Sequence, residues 1–413
     1  MKQAKTIYII IILLTASLPL SEAVKNVTLL LLLISLITTF IRREHLVRNN
    51  RYFIIITLFF LSGIISSIVN YERSGIDGIY DSFKLFCPLF SLLFICGNFN
   101  KFYFVYYAAI FSTILSCFIS AYTDQDFFSK SGDIRLNSIS PVNSVAIYVS
   151  LVFGITLSLL LTKNNKSRKE IIFLTSTLAF LCFFLLCTST RGSILSTFIS
   201  SCFILFLMYN LKKLLIIIIP ASIIVLSLGI SLNMNFIGKF SRIIEHERTS
   251  SMSAIGHRDT TFKMAKIISE DNLFWGVGPS NAKYYFTKDA CIEISEKLGY
   301  HYKHNDFINC YHAHNLFMNI LCERGLIGLL LLLLFFLVLS YKLMKTKSIL
   351  TTEYNVSWQS KMVWCTCFYA TCTTLLNGLF NTTLRNEIGL LTLIIIGVWL
   401  LDKESYDTSR SAI

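Results

Sequence analysis

Long runs of apolar residues alternate with short polar stretches along most of the chain. A helix needs about 20 apolar residues to cross a bilayer, and many of the runs approach that length. The pattern predicts about twelve membrane-spanning helices, at 6–20, 24–41, 52–69, 82–97, 102–121, 141–162, 171–187, 193–209, 214–232, 316–340, 361–380 and 387–401. The first run has the charge pattern of a signal peptide, but a second span follows at once without a small-residue cleavage site. We therefore interpret it as a retained anchor.

One long polar segment, 233–315, interrupts this pattern between the ninth and tenth spans. The chain is accordingly divided into a membrane domain at 1–232, the large loop at 233–315, a second membrane domain at 316–401 and a tail at 402–413. The loop is too small and too polar for a large core of its own, so we expect it to rest on the membrane domain. With 54% hydrophobic and 15% charged residues, the chain is not a soluble globular domain.

The basic residues set the orientation of the spans. One set of short connections carries about 19 Lys and Arg residues and the alternating set carries 6, which places both termini in the cytoplasm and 233–315 outside. Most of the net charge of +13 comes from the basic residues of the cytoplasmic connections. Because the basic residues are spread over many loops and form no single face, nucleic acid is excluded as a partner and membrane lipid is expected.

The stretch that begins at His314 is the most informative part of the sequence. His314-Asn315 is followed by nine residues and then by Gly325 and Gly328, where the large loop meets the tenth span. A titratable imidazole at a membrane surface is costly unless it has a partner or a task. Glycines one turn apart allow another helix to pack closely. The pattern favours a general base, because histidine titrates near neutrality.

Two arginines fall on the same side of the membrane in this topology. Arg191 lies in a tight hairpin between spans, and Arg258 opens a stretch in which Phe262, Ala265 and Ile268 share one helical face. The guanidinium of Arg191 either contacts lipid headgroups or binds the phosphates of a lipid-linked substrate, and that of Arg258 is interpreted as a contact with anionic lipid. The amphipathic stretch suits a helix that lies on the membrane surface.

Other polar residues in the outer loops are weaker candidates. Arg135 is either a third phosphate contact or a surface charge. Asp124 and Asp126 have the spacing of a divalent-metal pair, although two acids in a polar loop are usually solvated. His312 and His314 would point apart on a helix, and no Cys or acid lies at normal ligand spacing nearby. His301 and His304 are possible further ligands, but the spacing is loose. We predict no metal and no cofactor.

These motifs together resemble the O-antigen ligase family of Gram-negative inner membranes. The family pattern of His, then Asn, Ser or Gln, nine residues, Gly, two residues and Gly, Thr or Tyr is met by His314, Asn315, Gly325 and Gly328. The pattern of an arginine before a Gly-x-Gly turn in the large periplasmic loop is met by Arg258, Ala265, Gly276 and Gly278, and the hairpin arginine by Arg191. Leu273 replaces the proline that relatives often have before this turn.

The resemblance implies an all-α polytopic fold of the GT-C kind and an inverting, metal-independent glycosyltransferase with a periplasmic active site. The donor would be an O-antigen polysaccharide on undecaprenyl diphosphate, and the acceptor a sugar hydroxyl of the lipid A–core oligosaccharide. His314 would be the general base, and Arg191 and Arg258 would stabilise the leaving diphosphate. Substrate binding is assigned to Arg135, Asn315, Gly325 and Gly328.

Several other functions remain open at this point. An O-antigen polymerase would use the same donor with another lipid-linked glycan as acceptor, and a protein-glycosylating oligosaccharyltransferase is a more distant option. A polysaccharide transporter or flippase would carry ionisable residues near the middle of its spans. Here Lys84 is the one charge noted within a span, and the conspicuous polar residues gather on one side, which favours catalysis at one surface.

Two of the twelve cysteines lie in the large loop, and most of the others fall in spans. A disulfide between Cys291 and Cys310 would close a loop of about twenty residues and contribute on the order of 3 kcal/mol. The alternative is two free thiols.

Overall fold

The computed structural model describes residues 2–41, 51–70, 76–94, 103–123, 136, 138–139, 141–163, 166–188, 190–208, 258–300, 307–352 and 356–410. Within these ranges the chain is helical, and the only β pairing is an isolated bridge between Leu136 and Ile139. The helices are α1 (Lys2–Ser17), α2 (Glu22–Ile41), α3 (Arg51–Val69), α4 (Asp77–Phe94), α5 (Tyr103–Thr123), α6 (Val142–Thr162), α7 (Arg168–Cys187), α8 (Arg191–Met208), α9 (Arg258–Asp271), α10 (Ala282–Tyr285), α11 (Lys288–Lys297), α12 (Leu316–Thr352), α13 (Trp358–Gly378) and α14 (Asn386–Arg410).

The apolar helices coincide with the predicted spans. Every predicted span overlaps a helix except 214–232, which lies outside the described residues. Among the described residues, six helices are long and apolar enough to cross a bilayer, namely α2, α5, α6, α7, α8 and α12. Helices α1 and α3 contain shorter apolar stretches, Ala4–Ser17 and Phe53–Val69. The described chain is therefore an all-helical, multi-pass membrane protein, and the full count of twelve spans stays a prediction.

Helix α6 lies at the centre of the bundle. Of its apolar window, 78% is buried inside the protein, against 28% for α2 at the periphery. Helices α7, α8, α13 and α14 pack around it. The outward faces carry exposed apolar side chains such as Ile34, Phe111, Leu195 and Leu337. Exposed apolar surface on this scale needs an apolar solvent, so these faces are typical of contact with lipid.

The first turns of several helices meet at one end of the bundle, which we call the outer end. Lys25 in α2 is buried and forms an ion pair with Glu387 in the first turn of α14. The side-chain amide of Asn315, just before α12, donates to the carbonyl of Leu379 before α14 at 2.9 Å. The charge count of the sequence predicts that this end faces outside.

The described part of the large loop forms a small core of its own. Met264, Ala265 and Ile268 of α9 pack with Phe286 and Cys291, and with Cys322 of α12. The prediction that this face of α9 lies on the membrane is wrong, because Ala265 and Ile268 are fully buried against protein. The described part of the loop rests on α12, as expected, while the boundary at 232 lies outside the described residues.

Candidate functional site

A break in α12 joins the two sequence motifs. Gly325 has φ 65° and ψ −169°, so the helical path is interrupted there and the carbonyls before it lose their usual donors. Three backbone hydrogen bonds connect the break to the Gly-x-Gly turn: Val277 N to Cys322 O at 2.8 Å, Gly278 N to Glu323 O at 2.9 Å, and Leu326 N to Leu273 O at 2.8 Å. The arginine-containing stretch of α9 and the histidine stretch of α12 are thereby fixed to each other.

The turn and the break in α12 approach each other so closely that only glycine fits at positions 276 and 325. A Cβ on Gly325 would lie 2.2 Å from the carbonyl oxygen of Phe274, and one on Gly276 would lie 2.5 Å from that of Cys322. The expectation that Gly325 admits a neighbouring helix is wrong, since a turn of the loop occupies that space. A Cβ on Gly328 would lie 2.3 Å from Cβ of Arg324, so Gly328 makes room for that side chain. Leu273 supports the turn through its carbonyl, without the proline common in relatives.

His314 lies directly before α12 in an unusual backbone conformation. Its φ of 48° is in the left-handed region, where non-glycine residues are uncommon. The ring lies 4.3 Å, centroid to centroid, from that of His312. The next residue, Asn315, caps α12 by accepting from the backbone N–H of Met318 at 2.9 Å. Asn315 therefore fixes the position of the histidine relative to both the helix and the turn before α14.

His312 is the electrostatic neighbour of His314. Burial, together with the nearby His314 and Arg385, lowers the pKa of His312 to about 3. The ring is consequently neutral at physiological pH. Its Nδ1 atom has no hydrogen-bond partner among the described residues. In that part of the chain, no group of three His, Cys, Asp or Glu side chains has the arrangement of a metal site.

Arg191 is the first residue of α8 and is exposed at the outer end. The adjoining Gly192 faces the side chain of Phe380, and Ser193 donates to the side-chain oxygen of Asn377 at 3.0 Å. The turn after α13 is the same one that Asn315 contacts. The structure thus brings Arg191 and the histidine stretch to neighbouring parts of one turn.

The other predicted site residues are only partly described. Arg258 is the first residue of α9, which packs on α12, and its side chain lies outside the described residues. Arg135 lies outside the described residues as well, as do Asp124 and Asp126. Their assignments stay predictions.

The spacer of the histidine motif contains two adjacent charged residues that the sequence pattern alone did not single out. Glu323 and Arg324 lie in the predicted span 316–340 and are 8% and 4% exposed. The statement that Lys84 is the one charge within the spans is therefore wrong. The signal was present, because two adjacent charges directly precede Gly325 in an otherwise apolar stretch. Ionisable groups in such a position are functional candidates.

Arg324 is held firmly between α3 and α4. One guanidinium nitrogen donates to the carbonyl of Phe59 at 2.8 Å and another to the hydroxyl of Ser82 at 3.2 Å. The guanidinium also lies 4.5 Å from the centre of the Phe59 ring, a cation–π distance. A Cβ on Gly63 would lie 2.5 Å from Nη1, so this glycine leaves space for the arginine.

A cleft opens at the outer end beside this pair. Its charged lining consists of Asp81, Lys84, Glu323, Arg324 and Arg385, and its cavity volume is about 50 Å³. About 10–15 Å³ of such volume holds one water molecule, so the cleft has room for a small polar group. Arg385 interacts electrostatically with Glu323 in the cleft and with His312 beside it. The cleft and the two histidines therefore share a boundary.

The two loop cysteines are free thiols in the structure. Cys291 is buried and its Sγ donates to the carbonyl of Tyr285 at 3.2 Å. Burial raises the pKa of Cys291 to about 12 and that of Cys310 to about 11, and the neighbouring Cys310 adds to the rise at Cys291. Of the two alternatives left open by the sequence, the structure has the unbonded one.

We expect both cysteines to react slowly with a maleimide in the native protein at pH 7.5. The reactive form is the thiolate, and the raised pKa values leave very little of it. After denaturation without reductant, peptide mapping by mass spectrometry should find both residues labelled. Labelling that requires prior reduction would show that the protein contains a Cys291–Cys310 disulfide and would contradict the free-thiol arrangement.

Comparison with known proteins identifies the middle of the chain. Residues 176–333 match a family model described as O-Antigen ligase. The match begins within α7, ends within α12 and includes Arg191, Arg258, the Gly-x-Gly turn and the stretch from His314 to Gly328. No curated protein matches the chain. The family resemblance inferred from the motifs is therefore confirmed, and a membrane enzyme of the glycosyltransferase type is indicated.

Proposed function

We propose that this chain, whose residues 176–333 are an O-antigen ligase family domain, is an O-antigen ligase of the bacterial inner membrane. It transfers O-antigen polysaccharide from undecaprenyl diphosphate to a sugar hydroxyl of the lipid A–core oligosaccharide, on the periplasmic side. Both termini lie in the cytoplasm in this proposal. The fold is of the GT-C kind with about twelve spans, and the reaction needs no metal or nucleotide.

The proposed chemistry assigns one role to each polar residue. His314 removes the proton from the acceptor hydroxyl, whose oxygen attacks the anomeric carbon as the bond to the diphosphate breaks on the opposite face. Arg191 and Arg258 bind the diphosphate and stabilise the charge that develops on it. Asn315 holds His314 in place through its cap on α12 and its bond to Leu379.

One structural feature favours this proposal over the alternative functions. The three backbone hydrogen bonds between the Gly-x-Gly turn and the break at Gly325 connect both family motifs into one unit at the outer end. This arrangement gives a fixed histidine next to a polar cleft at the surface of a membrane-embedded bundle. A one-sided site of this kind supports group transfer at the membrane surface. Transport needs a site reached from both sides.

The test is the lipopolysaccharide pattern of a strain that lacks this protein. Loss of the whole O-antigen ladder, with polymer accumulating on its lipid carrier, is the expected result. A single-repeat band would instead identify an O-antigen polymerase, the nearest alternative within the family. Purified protein should transfer glycan to a defined lipid A–core acceptor. Transfer to a lipid-linked glycan acceptor alone would overturn the ligase assignment.

We expect Arg191→Lys and Arg258→Lys to reduce transfer roughly 10–100-fold each. Lysine keeps the charge but loses the planar fork that binds phosphate oxygens in pairs. If both arginines bind one diphosphate, the fold reduction in transfer of the double variant should be smaller than the product of the two single reductions. Arg168→Lys, at the first residue of α7, is the matched control and should transfer normally. Full activity of both test variants would indicate simple lipid anchoring.

A further inference from the structure

The cleft at the outer end contains cations that the proposed mechanism does not use. Lys84 of α4 and Arg385 before α14 both line it, together with the buried Arg324. Within the part of the chain that the structure describes, neither Lys84 nor Arg385 forms a salt bridge. A lysine in a predicted span is costly unless it is paired or has a task.

The carboxylates of the cleft are already occupied by neutral partners. Asp81 accepts from the hydroxyl of Ser280, and Glu323 lies close to Asn319 and to the backbone of Ser280. Glu323 also attracts Arg385 electrostatically, from beyond ion-pair distance. The two acids therefore orient the turn at Ser280 and leave the ammonium of Lys84 and the guanidinium of Arg385 able to bind an anion.

Two buried polar atoms in the cleft wall also lack partners. Arg324 Nε and Thr382 Oγ1 have no hydrogen-bond partner among the described residues, although both side chains line the cleft. A buried polar atom without a partner is unfavourable, because it has lost its hydrogen bonds to water and gained none in the protein. The other guanidinium nitrogens of Arg324 are bonded to α3 and α4, so the side chain is fixed. A polar occupant of the cleft could pair with these atoms.

We propose that this cleft binds a phosphate group of a lipid-borne substrate between Lys84 and Arg385. The inference rests on the proposed function and adds a phosphate site outside the residues of the family motifs. Arg385 interacts electrostatically with His312, which contacts His314, so a phosphate in the cleft would lie near the base. The phosphate belongs either to the diphosphate of the donor or to a phosphorylated sugar of the acceptor, and the two sources are separable by kinetics.

The experiment uses the full-length protein in nanodiscs, with Lys84→Gln and Arg385→Gln as test variants. Lys283→Gln is the matched control, since Lys283 belongs to the same outer region but rests on the ring of Tyr284 outside the cleft. Thermal unfolding establishes that each variant is folded. If Arg385→Gln does not fold, Lys84→Gln is the single test variant. Loss of one charge-assisted contact should weaken substrate binding about tenfold.

The readouts are the KM for donor, the KM for acceptor and inhibition by inorganic pyrophosphate. A donor phosphate predicts a raised donor KM and weaker pyrophosphate inhibition in the test variants. An acceptor phosphate predicts a raised acceptor KM that disappears with dephosphorylated acceptor. The proposal would be overturned if the folded test variants had wild-type values of both KM constants. It would also be overturned if Lys283→Gln changed these constants as much as the test variants do.

A direct binding measurement separates this proposal from the proposed function. Titration of pyrophosphate into wild-type protein and into Lys84→Gln protein should show about tenfold weaker binding in the variant, whether or not any transfer is observed. If the wild-type protein transfers no glycan to lipid A–core but this difference is present, the proposed function fails and the phosphate site stands. If transfer occurs and the affinities are equal with unchanged KM values, the phosphate site fails alone.

Discussion

Replacing His314 with alanine should reduce glycan transfer at least about 100-fold, because a general base contributes roughly 10²–10⁴ to a rate. Binding of the lipid-linked donor should persist, since the arginines assigned to the diphosphate lie in other elements, α8 and α9. The measurement is transfer by purified protein, compared with donor binding and with the amount of folded protein recovered. Near-normal transfer by a folded His314→Ala protein would end the assignment of His314 as the base.

A second variant separates chemistry from backbone conformation. His314 has a φ of 48°, a conformation that asparagine adopts more readily than alanine. His314→Asn should therefore fold at least as well as His314→Ala and be equally inactive. His312→Ala should retain measurable transfer, because the low pKa of His312 makes it a poor base. Inactive His312→Ala together with active His314→Asn would move the role to His312.

The positions of the helices could be predicted because a single physical requirement determines them. A segment in lipid must satisfy all its backbone groups internally, so a long apolar run becomes a helix irrespective of its neighbours. Helix α6, at Val142–Thr162, was predicted at 141–162 for this reason. The same runs do not reveal which helix lies at the centre, which depends on packing between segments that are far apart in sequence.

Periodicity predicted that one face of α9 is buried, but it did not identify the partner. Ala265 and Ile268 share a face at helical spacing, as a membrane-surface helix would require. In the structure this face packs into a small protein core with Cys322. An amphipathic pattern gives the direction of burial, and both lipid and protein satisfy it. The sequence of α9 alone does not distinguish between them.

The motifs identified the family, and residues outside them form most of the cleft. His314 and Arg191 could be selected because their residue types at a membrane surface demand an explanation. Glu323 was passed over as part of a spacer, and Arg385 was counted only as a loop charge. Their importance depends on the break at Gly325, which brings a loop turn and the start of α14 to the same end. Contacts between elements so far apart along the chain require the fold.

Hydrogen bonds at the break in α12 connect the large loop to the helical bundle. Asn70 of the segment after α3 donates to the carbonyl of Gly276 at 2.8 Å, and the hydroxyl of Ser66 donates to that of Glu323 at 2.7 Å. The Gly-x-Gly turn is thus tied to α3 as well as to α12. A change that moves the turn should affect both the stability of the outer end and the position of the histidine.

Gly325→Ala should therefore destabilise the protein by about 4 kcal/mol, from backbone strain and from the overlap with the loop. The added Cβ would lie 2.2 Å from the carbonyl oxygen of Phe274, and φ is 65°. Gly299→Ala is the matched control: φ there is 75° but nothing lies within 4 Å, so about 1 kcal/mol is expected. Unfolding of both variants in detergent, with transfer assays, measures the difference. Equal stability of the two would show that the close contact at Gly325 does not hold the motifs together.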